Sequence, residues 1–141
     1  MRSLEEIQKV FTKDRFATDL AKIQIVEATP EFAICEMPIT DNHLNARNTV
    51  MGGAIFTLAD FAASVAANAY AENTATITLH ADITYLNPAK GTKLIAEGKC
   101  IKRGKSTTLY TVTVSDDLGT MVAHVDVNGY VLHNTPPVSE K

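Results

Sequence analysis

The chain has 141 residues, of which 45% are hydrophobic and 21% charged, and its formal net charge is −3 at pH 7. This composition excludes a disordered or collagen-like chain. The mildly acidic balance argues against nucleic acid as a partner, because phosphate backbones are bound by basic surfaces. The length matches one domain, so we take residues 1–141 as a single unit with a core at about 20–133 and a flexible tail at 134–141.

The N-terminal residues mix charged and apolar side chains, so we expect neither a signal peptide nor a membrane-spanning segment, and we predict a cytoplasmic protein with no membrane partner. Residues 4–20 place apolar side chains at helical spacing, which indicates one or two short helices. Residues 22–39 hold short runs rich in Ile and Val, broken at Thr29-Pro30-Glu31, which predicts two strands joined by a turn. Residues 41–49 are rich in turn formers and predict a loop.

The segment from Gly52 to about Glu72 predicts one long helix. Apolar residues follow the spacing of one helical face, and further alanines fill much of the rest; the first set comprises Ile55, Leu58, Ala59, Ala62, Ala66 and Ala69. A helix that is apolar nearly all round must be buried nearly all round. Its small side chains should let a sheet approach closely.

After residue 73 the chain reads as strands at about 74–86, 93–103, 106–115 and 120–132, separated by turn signals. A meander of strands after one buried helix predicts an α+β fold in which an antiparallel sheet wraps around that helix. Cys35 and Cys100 fall in predicted strands and are interpreted as buried, reduced thiols. The four histidines show no metal-ligand spacing, so no metal site is predicted.

Asp60 is the residue of the long helix that most needs an explanation. It lies past the first turn, where the helix dipole no longer accounts for a carboxylate. Its helical neighbours are largely apolar, namely Phe56, Thr57, Ala63 and Ser64. An unpaired charge in such a setting is costly, and carboxylates kept there are often functional. The alternative is an aspartate on a narrow strip of the helix that faces solvent.

Gly52 and Gly53 open the same helix. Backbone N–H groups at a helix start have no internal acceptor, and glycine lets a ligand approach, so this position suits an anion or a developing oxyanion. Asp60 lies two turns further along the helix. Together with the glycine N–H groups, it would place a base and a hydrogen-bond donor for developing negative charge in one neighbourhood. The alternative is that the glycines only form the bend from loop to helix.

The only local concentration of basic residues falls at a predicted turn between two strands. There, Arg103, Gly104, Lys105 and Ser106 are candidates for binding the phosphates of a nucleotide-bearing ligand such as coenzyme A. The alternative is an ordinary solvated hairpin tip. No G-x-S-x-G sequence is present, so a Ser-His-Asp hydrolase has no support.

Residues 45–60 read Asn-Ala-Arg-Asn-Thr-Val-Met-Gly-Gly-Ala-Ile-Phe-Thr-Leu-Ala-Asp. This run closely resembles the signature of hotdog-fold acyl-CoA thioesterases, in particular the phenylacetyl-CoA thioesterase-like branch. Residues 83–91 resemble the family's Y/F-L-x-P-x-x-G element, and the likeness extends over about residues 22–132. The resemblance implies a hotdog fold, in which the antiparallel sheet wraps around one long central helix and a short N-terminal helix precedes them.

The resemblance also implies hydrolysis of an acyl-CoA to free acid and coenzyme A, without a cofactor. Carried over by position, Asp60 is the general base or nucleophile and the Gly52 N–H stabilises the thioester oxyanion. Asn45 helps to orient the carbonyl or the catalytic group, and the Thr78 hydroxyl holds water. The family further implies a homodimer whose active sites draw Asp60 and Gly52 from different subunits, with dimers often pairing into tetramers.

One position departs from the family pattern, because Met51 stands where a histidine usually precedes the glycine pair. A thioether cannot donate a hydrogen bond, and losing one preorganised donor can cost about 3–4 kcal/mol of transition-state stabilisation. Either Asn45 or another polar group orients the substrate, or activity is reduced. A non-catalytic acyl-CoA-binding hotdog protein is therefore the alternative. A hydratase has less support, since no histidine lies on this helix. The sequence does not specify the acyl group of the substrate.

Overall fold

The computed structural model describes residues 1–139. Two α-helices and six strands make up the fold: α1 Leu4–Phe11, β1 Gln24–Thr29, β2 Phe32–Pro38, α2 Gly52–Asn68, β3 Thr74–Tyr85, β4 Lys93–Arg103, β5 Thr107–Asp116 and β6 Met121–His133. A π-helical turn at Phe16–Leu20 follows α1, and a 3-10 turn at Asp41–His43 lies in the predicted loop. Every predicted helix and strand is present, so the α+β class is confirmed.

The long helix ends four residues before the predicted boundary near Glu72, and the side chain of Asn68 provides the reason. Its amide nitrogen donates to the Ser64 carbonyl and the Thr76 carbonyl, each at 3.0 Å. Its amide oxygen accepts the Thr76 N–H at 2.8 Å. One side chain thus closes the helix and pairs with the start of β3, a long-range contact that local periodicity does not encode.

The N-terminal helix belongs to the core. A capping box between Ser3 and Glu6 starts it, and Ile7 and Val10 are buried on its inner face. The ring of Phe11 packs edge-on against Phe61 of α2, with ring centroids 5.9 Å apart. The core therefore begins before residue 20, which was the predicted start.

The sheet has the strand order β1-β2-β4-β5-β6-β3, and all of its pairings are antiparallel. The predicted meander holds for β4, β5 and β6, but β3 pairs with β6 and not with β4. The connection after β3 runs across the ends of β5 and β6, where Asp116 accepts the backbone N–H groups of Lys90 and Gly91. A turn signal marks where a strand ends and does not specify its next neighbour, so the sequence pattern missed this crossover.

The helix α2 packs against all six strands of the sheet that curves around it. Leu58, Ala59, Ala62 and Val65 have no accessible surface, which confirms the predicted burial. A Cβ atom on Gly98 of β4 would lie 3.2 Å from the Ala62 carbonyl oxygen, so sheet and helix backbones are in near contact. The small residues of α2 allow this close packing, as predicted.

The two cysteines lie on β2 and β4 and neither forms a disulfide. Cys35 is fully buried, and burial raises the pKa of its thiol to about 12, so it stays protonated at neutral pH. Cys100 packs against the core but is only partly buried, so its predicted burial is wrong. Among residues 1–139, no helix combines the length and apolar character that crossing a membrane requires.

Candidate active site

Asp60 lies on the face of α2 that β3 flanks, between the buried residues Ala59 and Phe61. Its carboxylate is partly buried, and its Oδ1 atom accepts a hydrogen bond from the Thr78 hydroxyl at 3.0 Å. The structure therefore brings together two residues that the sequence motifs had singled out separately. One hydroxyl donor leaves the second carboxylate oxygen available to a water molecule or a substrate.

A β-bulge in β3 makes this contact compatible with the rest of the strand. Thr78 pairs with Gly129 while His80 pairs with Asn128, so Leu79 is an extra residue without a partner. Side chains alternate along a strand, and Thr78 and Tyr85, seven residues apart, would face opposite sides of a regular one. The bulge resets the alternation, and both side chains reach α2.

Tyr85 contacts the start of the central helix, a role that the sequence reading had not assigned to it. Its hydroxyl donates to the Gly52 carbonyl at 2.9 Å. A Cβ atom on Gly52 would lie 2.9 Å from that hydroxyl oxygen, so any larger residue at this position would displace the Tyr85 side chain. The first helical hydrogen bonds are those of Ala54 and Ile55 to the Met51 carbonyl, which leaves the Gly52 N–H without a helical acceptor.

Gly52 and Asp60 do not converge within one chain. Eight residues separate them on α2, and a rise of 1.5 Å per residue places them about 12 Å apart along the helix axis. A base and an oxyanion donor must both lie about 3 Å from the same reacting group. The expectation that these two residues share one neighbourhood on the same helix is therefore wrong.

Asn45 organises the loop that leads into α2. Its side-chain oxygen accepts the Arg47 N–H at 2.9 Å, and the N–H and hydroxyl of Thr49, each at 3.2 Å. The buried His43 anchors the same loop, since its Nε2 atom lies 2.7 Å from the Ala21 carbonyl and its own carbonyl accepts the Met51 N–H. In the single chain, Asn45 thus shapes the approach to Gly52.

An open pocket of about 440 Å³ lies beside Asp60. Residues 14–17 form one wall and α2 forms the other, with the aromatic rings of Phe16, Phe56 and Phe61 in the lining. Such a pocket can hold an apolar group next to a carboxylate. Asp14 also lines it and was missed by the sequence reading, because placing it requires knowing that α1 packs against Phe61.

The predicted phosphate-binding residues form the turn between β4 and β5, where the Gly104 N–H donates to the Thr107 carbonyl at 2.8 Å. The guanidinium of Arg103 is engaged within the chain, by Glu31 at 3.0 Å and by the Tyr110 hydroxyl at 2.9 Å. Tyr110 is in turn hydrogen-bonded to Glu31. The charge of Arg103 is thus balanced internally, whereas Lys105 and Ser106 are exposed.

This turn lies at the C-terminal end of α2, where Arg103 also donates to the Ala67 carbonyl at 3.3 Å. A second pocket, of about 300 Å³, opens there beside Lys105 and His133. Ala67 follows Asp60 by seven residues, which is about 10 Å along the helix. The basic turn and the carboxylate therefore lie at separate places along α2.

A six-stranded antiparallel sheet curved around one long helix is the hotdog class of α+β folds. The profile of the Thioesterase superfamily matches residues 47–123, which includes Gly52, Asp60, Thr78 and Tyr85, and the chain belongs to this family. The resemblance seen in residues 45–60 is thereby confirmed at the level of fold and family.

Individual relatives agree with this assignment. Acyl-coenzyme A thioesterase 13 of Homo sapiens is 33% identical over 117 residues, covering 82% of this chain and 84% of that protein. The structure of the E. coli PaaI protein from the phenylacetic acid degradation operon has a TM-score of 0.79 at 24% identity and covers 94% of this chain and 99% of that chain. A Streptococcus mutans protein bound to acetyl CoA has a TM-score of 0.70 at 26% identity and covers 80% and 90%, respectively.

Proposed function

We propose that this protein hydrolyses an acyl-CoA thioester to the free acid and coenzyme A. The observation that carries the proposal is the Asp60 carboxylate, held by one hydroxyl of Thr78 and bordering an open, aromatic-lined pocket. Membership of the thioesterase family supports thioester hydrolysis. The names of the human relative and of the acetyl-CoA-bound structure support coenzyme A as the thiol.

In the proposed reaction, Asp60 takes a proton from a water molecule whose oxygen bonds to the thioester carbonyl carbon. The resulting oxyanion is stabilised by a backbone N–H of Gly52. The C–S bond then breaks, the acid is released, and the thiolate of coenzyme A takes up the proton. Direct attack by the carboxylate, followed by hydrolysis of the anhydride, is the second route open to the same residue. Neither route needs a metal or a cofactor.

The separation of Gly52 and Asp60 supports an active site shared between two copies of the chain. With about 12 Å between them on one helix, each can serve a common carbonyl only if the partner subunit supplies the other. The strand β3 lies at an edge of the sheet and exposes Ile77 and Leu79, so it can pair with a second β3. We propose a homodimer with two shared sites, and pairing of dimers into a tetramer.

We further propose that the turn formed by residues 103–106 contacts the phosphates of coenzyme A. Because Arg103 is paired with Glu31, Lys105 is the cation best placed to provide the charge, with the Ser106 hydroxyl as a neutral donor. Arg103 would then hold the shape of the turn. Replacing Lys105 by Ala should raise KM with little change in kcat.

The competing function is a non-catalytic acyl-CoA-binding protein, which Met51 favours because it removes the donor that the family usually has before the glycine pair. The two functions are separated by thiol release from a panel of short, medium, long and aromatic acyl-CoAs. Binding without thiol release across the panel would support the competing function and refute the proposed one.

The decisive variant is Asp60→Asn, which keeps the size of the side chain and removes the base. We expect kcat to fall by roughly 10²–10⁴-fold, the contribution of a general base, with the melting temperature nearly unchanged. Asp19→Asn is the matched control, since the Asp19 side chain is 75% exposed and lies outside the pocket. An unchanged kcat in Asp60→Asn would show that this carboxylate is not the base.

A further inference from the structure

The turn between β4 and β5, residues 103–106, is anchored on two sides. On one side, the Nε2 atom of His133 lies 2.7 Å from the Lys105 carbonyl, and the Val131 N–H donates to the Ser106 carbonyl at 2.9 Å. On the other side, the Arg103 guanidinium reaches the end of α2 and the turn between β1 and β2. The backbone that carries the exposed Lys105 side chain is therefore held at several points.

Glu31 and Tyr110 hold the guanidinium of Arg103. The Nε atom of Arg103 donates to the Oε1 atom of Glu31 at 3.0 Å, and a terminal nitrogen donates to the Tyr110 hydroxyl at 2.9 Å. The Tyr110 hydroxyl in turn donates to the second carboxylate oxygen of Glu31, so the three side chains close a ring of hydrogen bonds. The same terminal nitrogen reaches the Ala67 carbonyl at 3.3 Å, which ties this ring to the last turn of α2.

Glu31 has a backbone conformation that favours glycine, with a φ of 68°. Its carbonyl accepts the Cys100 N–H of β4 at 3.0 Å, so its backbone is fixed as well. Residues other than glycine that are held in this region cluster at ligand-binding and active sites. The side chain of Glu31 is therefore the feature of the β1–β2 turn that needs an explanation.

Glu31 and Lys105 line the same pocket of about 300 Å³ at the end of α2. An unpaired carboxylate in this pocket would repel a phosphate group, because like charges at short range weaken binding. The ion pair with Arg103 removes that repulsion. Lys105 is then left to supply positive charge to a ligand in the pocket.

We propose that Glu31 is a positioning residue for the coenzyme A end of the substrate, an inference that rests on the proposed function. It acts through Arg103, which holds the turn so that Lys105 and Ser106 face the phosphates. A turn that is ordered before binding loses less conformational entropy when the ligand binds, so the affinity is higher. If Arg103 bound phosphate directly and Glu31 only competed for it, removing the charge of Glu31 would have the opposite effect.

The first test compares Glu31→Gln with the wild type on two substrates that share one acyl group. These are the acyl-CoA and the acyl-pantetheine, which lacks the nucleotide and its phosphates. Glutamine cannot accept from both Arg103 and Tyr110, so the turn should loosen. We expect KM for acyl-CoA to rise by roughly three- to tenfold, with kcat and the KM for acyl-pantetheine within about twofold of the wild type. A general structural defect would change both substrates alike.

Two further variants complete this test. Tyr110→Phe keeps the buried ring and removes one hydroxyl of the network, so KM for acyl-CoA should rise by roughly two- to fivefold. Glu36→Gln is the matched control, because Glu36 is also ion-paired, with Lys93 at 3.2 Å, but lies on β2 outside this pocket. Both of its KM values should match the wild type. Melting temperatures check that all three variants are folded.

The second test needs no turnover. Calorimetric titration with coenzyme A itself measures binding to the wild type, to Glu31→Gln and to Glu36→Gln. We expect Kd to rise by roughly three- to tenfold in Glu31→Gln and to stay unchanged in Glu36→Gln.

The outcomes separate this inference from the proposed function. If the wild type hydrolyses acyl-CoA but Glu31→Gln leaves its KM unchanged or lowers it, the inference about Glu31 is overturned and the proposed function stands. If the wild type releases no thiol but Glu31→Gln weakens the binding of coenzyme A, the proposed hydrolysis fails and the role of Glu31 in binding stands. If the wild type neither releases thiol nor binds coenzyme A, both fail.

Discussion

The carboxylates of Asp60 and Asp116 differ in how many hydrogen-bond donors the fold provides to them. Asp116 is only 2% exposed, and its carboxylate accepts four backbone N–H groups, those of Lys90, Gly91, Leu118 and Thr120, at 2.7–3.1 Å. Asp60 accepts one side-chain hydroxyl and faces a pocket. A carboxylate saturated by backbone donors holds the chain in place, whereas one with a single donor keeps lone pairs for chemistry.

The acid–base properties of Asp116 follow from its donors. Burial alone would raise the pKa of this carboxyl, but the hydrogen bonds from the backbone of Lys90, Thr120 and Leu118 outweigh it and lower the pKa well below the ordinary value of 3.8. These bonds hold the crossover from β3 to β4 against the end of β5. Asp116 therefore stabilises the connection between the two strands, whereas Asp60 is the base of the proposed reaction.

The largest effect is expected from Asp116→Asn, which should lower the stability of the fold without changing the reaction. An amide group cannot accept all of these N–H groups, so the melting temperature at pH 7 should fall on the order of 10 °C. Activity per folded molecule should be nearly unchanged. Thermal melts and active-site-normalised rates check both expectations, and Asp126→Asn, on the half-exposed face of β6, is the control.

We also expect the stability of Asp116→Asn to depend less on acidic pH than the stability of the wild type. Because the pKa of Asp116 is lowered by folding, the unfolded chain binds more protons at low pH. Stability from this group is thus complete above the ordinary value of 3.8 and is lost as the pH falls below it. Melting temperatures measured down to about pH 3 should decline more steeply in the wild type than in Asp116→Asn. Parallel declines would contradict the assignment.

A smaller effect is expected from Thr78→Val, which keeps the shape of the side chain and removes the hydroxyl that donates to Asp60. A hydrogen bond to a charged group is worth about 1.5–3 kcal/mol, so kcat should fall by roughly 10- to 100-fold while the fold remains stable. Thr78→Ser keeps the hydroxyl and should stay within about threefold of the wild type. Equal rates in all three proteins would show that this bond does not contribute to turnover.

The smallest effect is expected from Met51→His, at the start of α2. The Met51 side chain is 54% exposed, so an imidazole can be accommodated and can donate toward the substrate. We expect kcat to rise by roughly three- to tenfold, less than the full value of a preorganised donor because an exposed ring is free to rotate. Met51→Leu is the control, and a rate equal to it would show that this position supplies no donor.

Local patterns in the sequence were sufficient to predict the helices and strands and to identify the main candidate residues of the site. Helical periodicity identified α2, alternation and turn residues identified the strands, and the run from Asn45 to Asp60 identified the family. These features act over a few residues, since hydrogen bonds within a helix or a tight turn join near neighbours in the chain. That is why Asp60 and Gly52 could be singled out before any fold was known.

Contacts between distant parts of the chain determined the strand pairing and which side chains meet at the site. The pairing of β3 with β6, the bulge that turns Thr78 toward Asp60, and the engagement of Arg103 by Glu31, 72 residues away, have no local signature. The same holds for Asp14, which reaches the pocket only because Phe11 packs on Phe61. Such contacts form when apolar surface is buried between whole elements, so tertiary packing selects which side chains meet.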